Sequence, residues 1–110
     1  MANTTIATVD DSDFQEKVHN AELPVLVMFT ATWSAPDRGF ENSLTELASD
    51  YENKVFIYRC DIDASPNVAS QYDIRNFPTL SIFKGRYTPT ATRIGALPTA
   101  QLKSWIDANV

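Results

Sequence analysis

Residues 25–40 read VLVMFTATWSAPDRGF. The first six, Val25 to Thr30, are apolar almost throughout, as in a strand buried on both faces. Beyond them Phe40, Leu44, Leu47 and Tyr51 recur at helical spacing and predict a helix over 36–51. A strand that feeds a helix through a tight corner usually presents something reactive at the helix's first residues. Here the corner is ATWSAPDRGF, and it holds no obvious nucleophile or metal ligand. The fold and the function both turn on what this corner does.

The flanking sequence completes the pattern. TIATV (5–9) is a β-branched run suited to an edge strand. Ser12 and Gln15 have capping-box spacing, with Phe14 and Val18 then on one helical face. Pro24 closes that helix before the strand begins. KVFIYRCDI (54–62) reads as the next strand and Pro66–Tyr72 as a short helix. TLSIFK (79–84) alternates like a strand, ATRIG (91–95) suits an antiparallel partner, and 85–89 forms the hairpin loop. A last helix starts near Pro98-Thr99, turning Leu102, Trp105 and Ile106 inward. Strands alternating with helices, then a hairpin and a closing helix, describe an α/β sandwich with a mixed central sheet. Ligands on such sheets bind beyond the carboxyl ends of the strands, and the corner is one of those ends.

Composition narrows the function classes. The 110 residues are one domain's worth, with no linkers, repeats or low-complexity runs. A net charge of -5 disfavours nucleic acid and anionic membrane surfaces. No stretch has the apolar length of a membrane span, and the first residues lack a signal-peptide layout, so the expectation is a cytoplasmic monomer. The single cysteine, Cys60, excludes an internal disulfide and fits a reducing compartment. Asn3-Thr4-Thr5 matches a glycosylation sequon and is read as chance on the same grounds.

VLVMFTATW, DIDASPNVASQYDIRNFPTLSIFK and GALPTAQLKSWID, in this order, resemble the thioredoxin family nearly end to end. The resemblance implies a thioredoxin fold, with about five strands in a mixed sheet flanked by about four helices. It also implies a cis peptide bond before Pro78, beside the active corner. The family's chemistry, protein-disulfide reduction, needs Trp-Cys-Gly-Pro-Cys at that corner. The first cysteine is a thiolate because a helix N-terminus favours negative charge, and it attacks a substrate disulfide. The second resolves the mixed disulfide.

In this chain the tract is Trp33-Ser34-Ala35-Pro36-Asp37. Tryptophan and proline are kept and both sulfurs are gone. A serine hydroxyl forms no disulfide, and Asp37 resolves none. The family also places a buried aspartate on the preceding strand, where this chain has Met28; a basic partner survives as Arg59. The two changes are read as linked, because a carboxylate at 28 beside one at 37 would raise one pKa and cost stability. Asp37 in the helix's first turn instead gains roughly 0.3–1 kcal/mol from the helix dipole. Two further departures are Asn42, where the family's helix carries a proline, and GRYTPTATR (85–93), which replaces the usual glycine turn.

Other chemistries fit less well. A hydrolase built on Ser34 and Asp37 needs a base, and the only histidine, His19, is read as a partly exposed residue of the first helix, away from the corner. Asp10, Asp11 and Asp13 are read as helix caps rather than metal ligands, and Asp61 with Asp63 lacks a third ligand. Cys60 is read as a buried structural thiol, far from the corner. Phe29, Phe40, Phe56, Phe83 and Trp105 are assigned to the core.

The sequence therefore predicts a thioredoxin-like protein with no metal, no cofactor and no active catalytic residue. By resemblance Trp33, Ser34, Ala35, Pro36, Phe77, Pro78, Gly95 and Ala96 form a groove for an extended protein segment. The expected role is binding or structural and redox-independent, of the kind thioredoxins play as polymerase processivity partners. The alternative is a cytosolic protein-disulfide reductase whose active site was altered.

Overall fold

The computed structural model describes residues 6–31, 35–85, 88–95 and 97–110, with side chains from 35 to 41 excepted. Its centre is strand β2, Val25–Thr30, in which every residue is buried. A central strand with apolar side chains on both faces demands cover on both sides. β2 pairs in parallel with β3 (Phe56–Asp61) and antiparallel with β4 (Thr79–Phe83). β1 (Ala7–Val9) and β5 (Ala91–Ile94) close the sheet, in the order β1-β3-β2-β4-β5.

One face carries Leu26, Met28, Leu80 and Ile82. It is covered by α1 (Ala35–Ala48), a 3-10 turn (Ser49–Tyr51) and α3 (Thr99–Asn109). Leu44, Leu47 and Tyr51 come from the first helical segment, and Leu102 and Ile106 from α3. Each fully buried leucine or isoleucine is worth about 1.5–3 kcal/mol. The exposed Lys103–Asp50 ion pair between the same segments, 3.4 Å long, is worth about 0–1 kcal/mol, so apolar contact attaches these helices. The Tyr51 hydroxyl refines the join by donating to Asp107 Oδ1 at 2.7 Å. Trp105 packs half-buried on this cluster.

The other face carries Val25, Val27, Phe29, Cys60 and Phe83. It is covered by α2 (Pro66–Gln71) and by a π-helical turn, Gln15–His19. The capping pattern of this region lies two residues before Ser12 and Gln15. Asp10 Oδ1 accepts the Ser12 N–H at 2.9 Å, while Asp13 Oδ1 accepts the Asp10 N–H at 2.8 Å. Asp11 reaches across to α2, accepting the N–H groups of Asn67 and Val68 at 3.1 and 2.9 Å. These aspartates satisfy the exposed donors of helix starts, as their positions predict.

Two expectations are overturned here. His19 is buried, not partly exposed. The expectation assumed 3.6 residues per turn, but the Asn20 N–H bonds to the Gln15 carbonyl, five residues back, at 3.0 Å. This wider turn brings His19 under Phe14, with ring centroids 5.3 Å apart, and its Nε2 lies 2.6 Å from the Tyr72 hydroxyl in a hydrogen bond. Phe56, assigned to the core, is 41% exposed. Among the described residues β1 pairs with β3 only from Tyr58 onward, so Phe56 lies at the strand's uncovered beginning. The remaining boundaries fall within about two residues of the sequence reading, Phe29 and Phe83 are core, and α1 runs unbroken through Asn42.

Burial holds the His19 imidazole below its ordinary pKa of 6.5. The unfolded chain therefore binds its proton more readily, and the stability from neutral His19 is complete above about pH 6.5 and lost as pH falls through the folded pKa. Asp13, held low first by Lys17, loses its contribution only below its ordinary 3.8. The urea midpoint is expected to drop between pH 7 and 5, and His19→Gln should flatten that slope while leaving the loss below pH 4.

Candidate functional site

The candidate site is built by strand register. Phe29 pairs with Thr79, and Thr79 with Ile94. Continuing that register brings Thr30, Pro78 and Gly95 side by side at one end of the sheet. The Gly95 N–H donates to the Pro78 carbonyl at 2.8 Å, which ties the last two segments together. Gly95 has φ +97, a conformation that favours a residue without Cβ. The Phe77–Pro78 peptide bond is cis; Pro78 is buried and Phe77 half-buried. The Ile62 N–H donates to the Thr30 carbonyl at 3.0 Å, bringing the end of β3 to the same place.

From this end the chain enters α1, whose first residues are Ala35, Pro36 and Asp37. Pro36 is tolerated because first-turn N–H groups have no helical acceptor. Trp33, Ser34 and Ala96 lie outside the described residues, as do the side chains of Ala35, Pro36, Asp37 and Phe40, the last assigned to the core. The described part of the site thus unites the start of α1, the Phe77–Pro78 turn and Gly95, three segments well separated in sequence.

Behind the corner, Met28 is fully buried among Leu44, Leu80 and the α3 side chains. Arg59 stands beside it in register on β3 and is half-buried. The position behind the corner therefore carries a thioether that neither accepts nor donates a proton.

Cys60 requires a correction. It is not far from the corner along the sheet, since it pairs in register with Phe29, one residue from the end of β2. What separates it is the sheet itself: Cys60 is fully buried in the cluster under α2 and the π turn, opposite the face that carries α1. Burial pushes its thiol up to about 11, only partly offset by the buried Ser65 hydroxyl beside it. A thiol so rarely ionised is a poor nucleophile.

His19 is also on that opposite face, so it is no base for α1's first turn. Asp61 is engaged in its own turn, accepting the Asp63 N–H at 3.0 Å. Among the described residues no group of three or more His, Cys, Asp or Glu side chains is placed to hold a metal ion.

The whole chain bears the same pattern of relationship. The thioredoxin family model matches residues 5–108. The chain belongs to the thioredoxin family. It is 39% identical to Thioredoxin C-2 of Corynebacterium nephridii over 108 residues, covering 98% of this chain and 99% of that protein. It is 42% identical to a thioredoxin of Synechocystis sp. over 99 residues, covering 90% and 92% respectively. A thioredoxin of Rhodospirillum rubrum is 41% identical over 102 residues, covering 93% of this chain and 97% of its own. Against that background this thioredoxin-family chain has one cysteine where the family's dithiol chemistry needs two.

One feature of the site escaped the sequence reading. Asn76, Thr79, Ser81 and Thr92 line a recess beside the Phe77–Pro78 turn. In a strand, hydroxyl residues look like ordinary β formers. Only the pairing of TLSIF with ATRI, which sets Ser81 opposite Thr92, signals that they meet.

Met28→Asp should cost about 2–5 kcal/mol in urea unfolding at pH 8, because it buries a charge. The cost should shrink at pH 5, since a buried carboxyl titrates above its usual range. It should also be smaller in an Asp37→Cys background, and equal costs in both backgrounds would show that positions 28 and 37 are uncoupled.

Proposed function

We propose that this thioredoxin-family protein is a binding subunit that works without dithiol–disulfide exchange. The observation that carries the reading is the location of its only sulfhydryl. Cys60 is fully buried on the sheet face opposite α1, and Ser34 and Asp37 hold the positions where the resemblance puts the two reactive cysteines. Exchange requires a thiolate that reaches a substrate disulfide and a second thiol that releases it. Neither requirement is met by a serine, an aspartate and a buried cysteine.

What remains is a groove. The converging segments are the start of α1, Phe77–Pro78 and Gly95, with Trp33 and Ala96 added by resemblance. An extended protein segment lying across the Phe77–Pro78 turn is the partner of this reading. The net charge of -5 favours a protein ligand over a nucleic acid. Among the described residues no helix is long and apolar enough to cross a membrane, and a lone buried thiol is compatible with the cytoplasm.

The competing reading is a reductase disabled by an altered motif, and insulin reduction by dithiothreitol tests both. The native sequence is expected to leave the rate at its uncatalysed value. In the binding reading, the double variant Ser34→Cys with Asp37→Cys stays slow, because Met28 supplies no proton acceptor behind the resolving thiol. Rapid turnover by the double variant favours the altered reductase. Catalysis by the native protein overturns the binding reading outright.

A further inference from the structure

Beside the Phe77–Pro78 turn, a recess of about 320 Å³ opens between residues 72–76 and the β4–β5 ladder. That volume is at the lower end of the ~300–1,000 Å³ range of binding pockets. Asn76 and Thr79 flank the turn and line the recess, and Ile94 precedes Gly95, whose N–H holds the Pro78 carbonyl. The recess therefore adjoins the turn, on the sheet face that carries Val27 and Phe29.

Its floor is made of hydroxyls. Ser81 and Thr92 face each other in register, with Oγ and Oγ1 3.1 Å apart. The Thr79 hydroxyl is committed as a donor to the Asn76 carbonyl at 2.6 Å. Two hydroxyls that share one hydrogen bond retain one further proton and several lone pairs. The floor thus donates once and accepts as well, with no charge. Asp73 and Arg75, both exposed, also line the recess and pair with each other at 2.8 Å. The walls include Ile74 and Ile94, and Ile94 is 62% exposed.

This chemistry discriminates among occupants. An apolar side chain would strip water from Thr92, the exposed member of the pair, and return no hydrogen bond. An ammonium group would have to compete with Arg75 for Asp73, and a carboxylate with Asp73 for Arg75. A carboxamide both accepts and donates, and its methylene stem suits the isoleucine walls.

We propose that the recess is a side-chain subsite: an extended partner segment crossing the Phe77–Pro78 turn sets an asparagine or glutamine side chain on the Ser81–Thr92 hydroxyl pair. The proposal rests on the groove reading above. Alternate side chains of an extended segment point the same way, so the preference falls at one fixed position of the ligand.

The test uses a displayed library of cysteine-free random dodecapeptides, selected on the whole protein. Selected peptides are expected to share Asn or Gln at one position. Thr92→Val keeps the β-branched shape and removes one hydroxyl, so it should weaken such a peptide about tenfold. Its affinity for the same peptide with Leu at that position should not fall. Peptides that bind without the amide preference, or bind Thr92→Val equally well, overturn the subsite and leave the groove standing. Selection of an acidic or basic residue at that position overturns it too. If no peptide is selected, the groove reading fails and the subsite with it.

Discussion

Burial of β2 on both faces is the constraint on which the rest of this structure depends. Six consecutive buried residues require a strand on each side and a helical layer above and below. The layers divide the side chains of β2 between two cores: Leu26 and Met28 meet α1 and α3, while Val25, Val27 and Phe29 meet the π turn and α2. The same division sorts the chemistry. Met28 falls behind the corner, whereas Cys60 and His19 fall on the far side of the sheet. The functional groups that a reader of the sequence would want to combine are kept apart by the strand that organises the fold.

Much of this was legible beforehand because the strongest signals are hydrophobic. VLVMFT announced a doubly buried strand, and Phe40, Leu44, Leu47 and Tyr51 announced the helix that follows. The family resemblance placed the corner, the Phe77–Pro78 turn and Gly95 together; the register of β2, β4 and β5 brings the end of β2, that turn and Gly95 to one end of the sheet. The misses have physical causes. A π turn shifts the helical period, so the histidine expected near solvent is under Phe14. Phe56 has a strand's pattern but occupies an uncovered beginning. Cys60 was placed by its distance in sequence, while parallel pairing sets it beside Phe29. The hydroxyl recess depends on cross-strand partners, which no local pattern reveals. Trp33, Ser34 and Ala96 stand on the resemblance alone.

The site combines a helix start, a buried thioether behind it and a turn held to Gly95 by one backbone hydrogen bond. A helix start favours negative charge, and in this chain Asp37 takes that place in the first turn. In the proposed reading, Met28 avoids a second carboxylate that would conflict with it. In that reading the residues at 28, 34 and 37 form one set, which lacks the groups for proton transfer and disulfide exchange.

The most direct measurement of that claim is a redox titration of the folded protein. The protein is equilibrated with glutathione buffers from fully reducing to strongly oxidising, quenched in acid and weighed by mass spectrometry. The account predicts one unchanged mass across the whole range, because the only thiol is buried and scarcely ionised. A glutathione adduct on Cys60 under native conditions would contradict it, as would a covalent dimer formed at a defined potential.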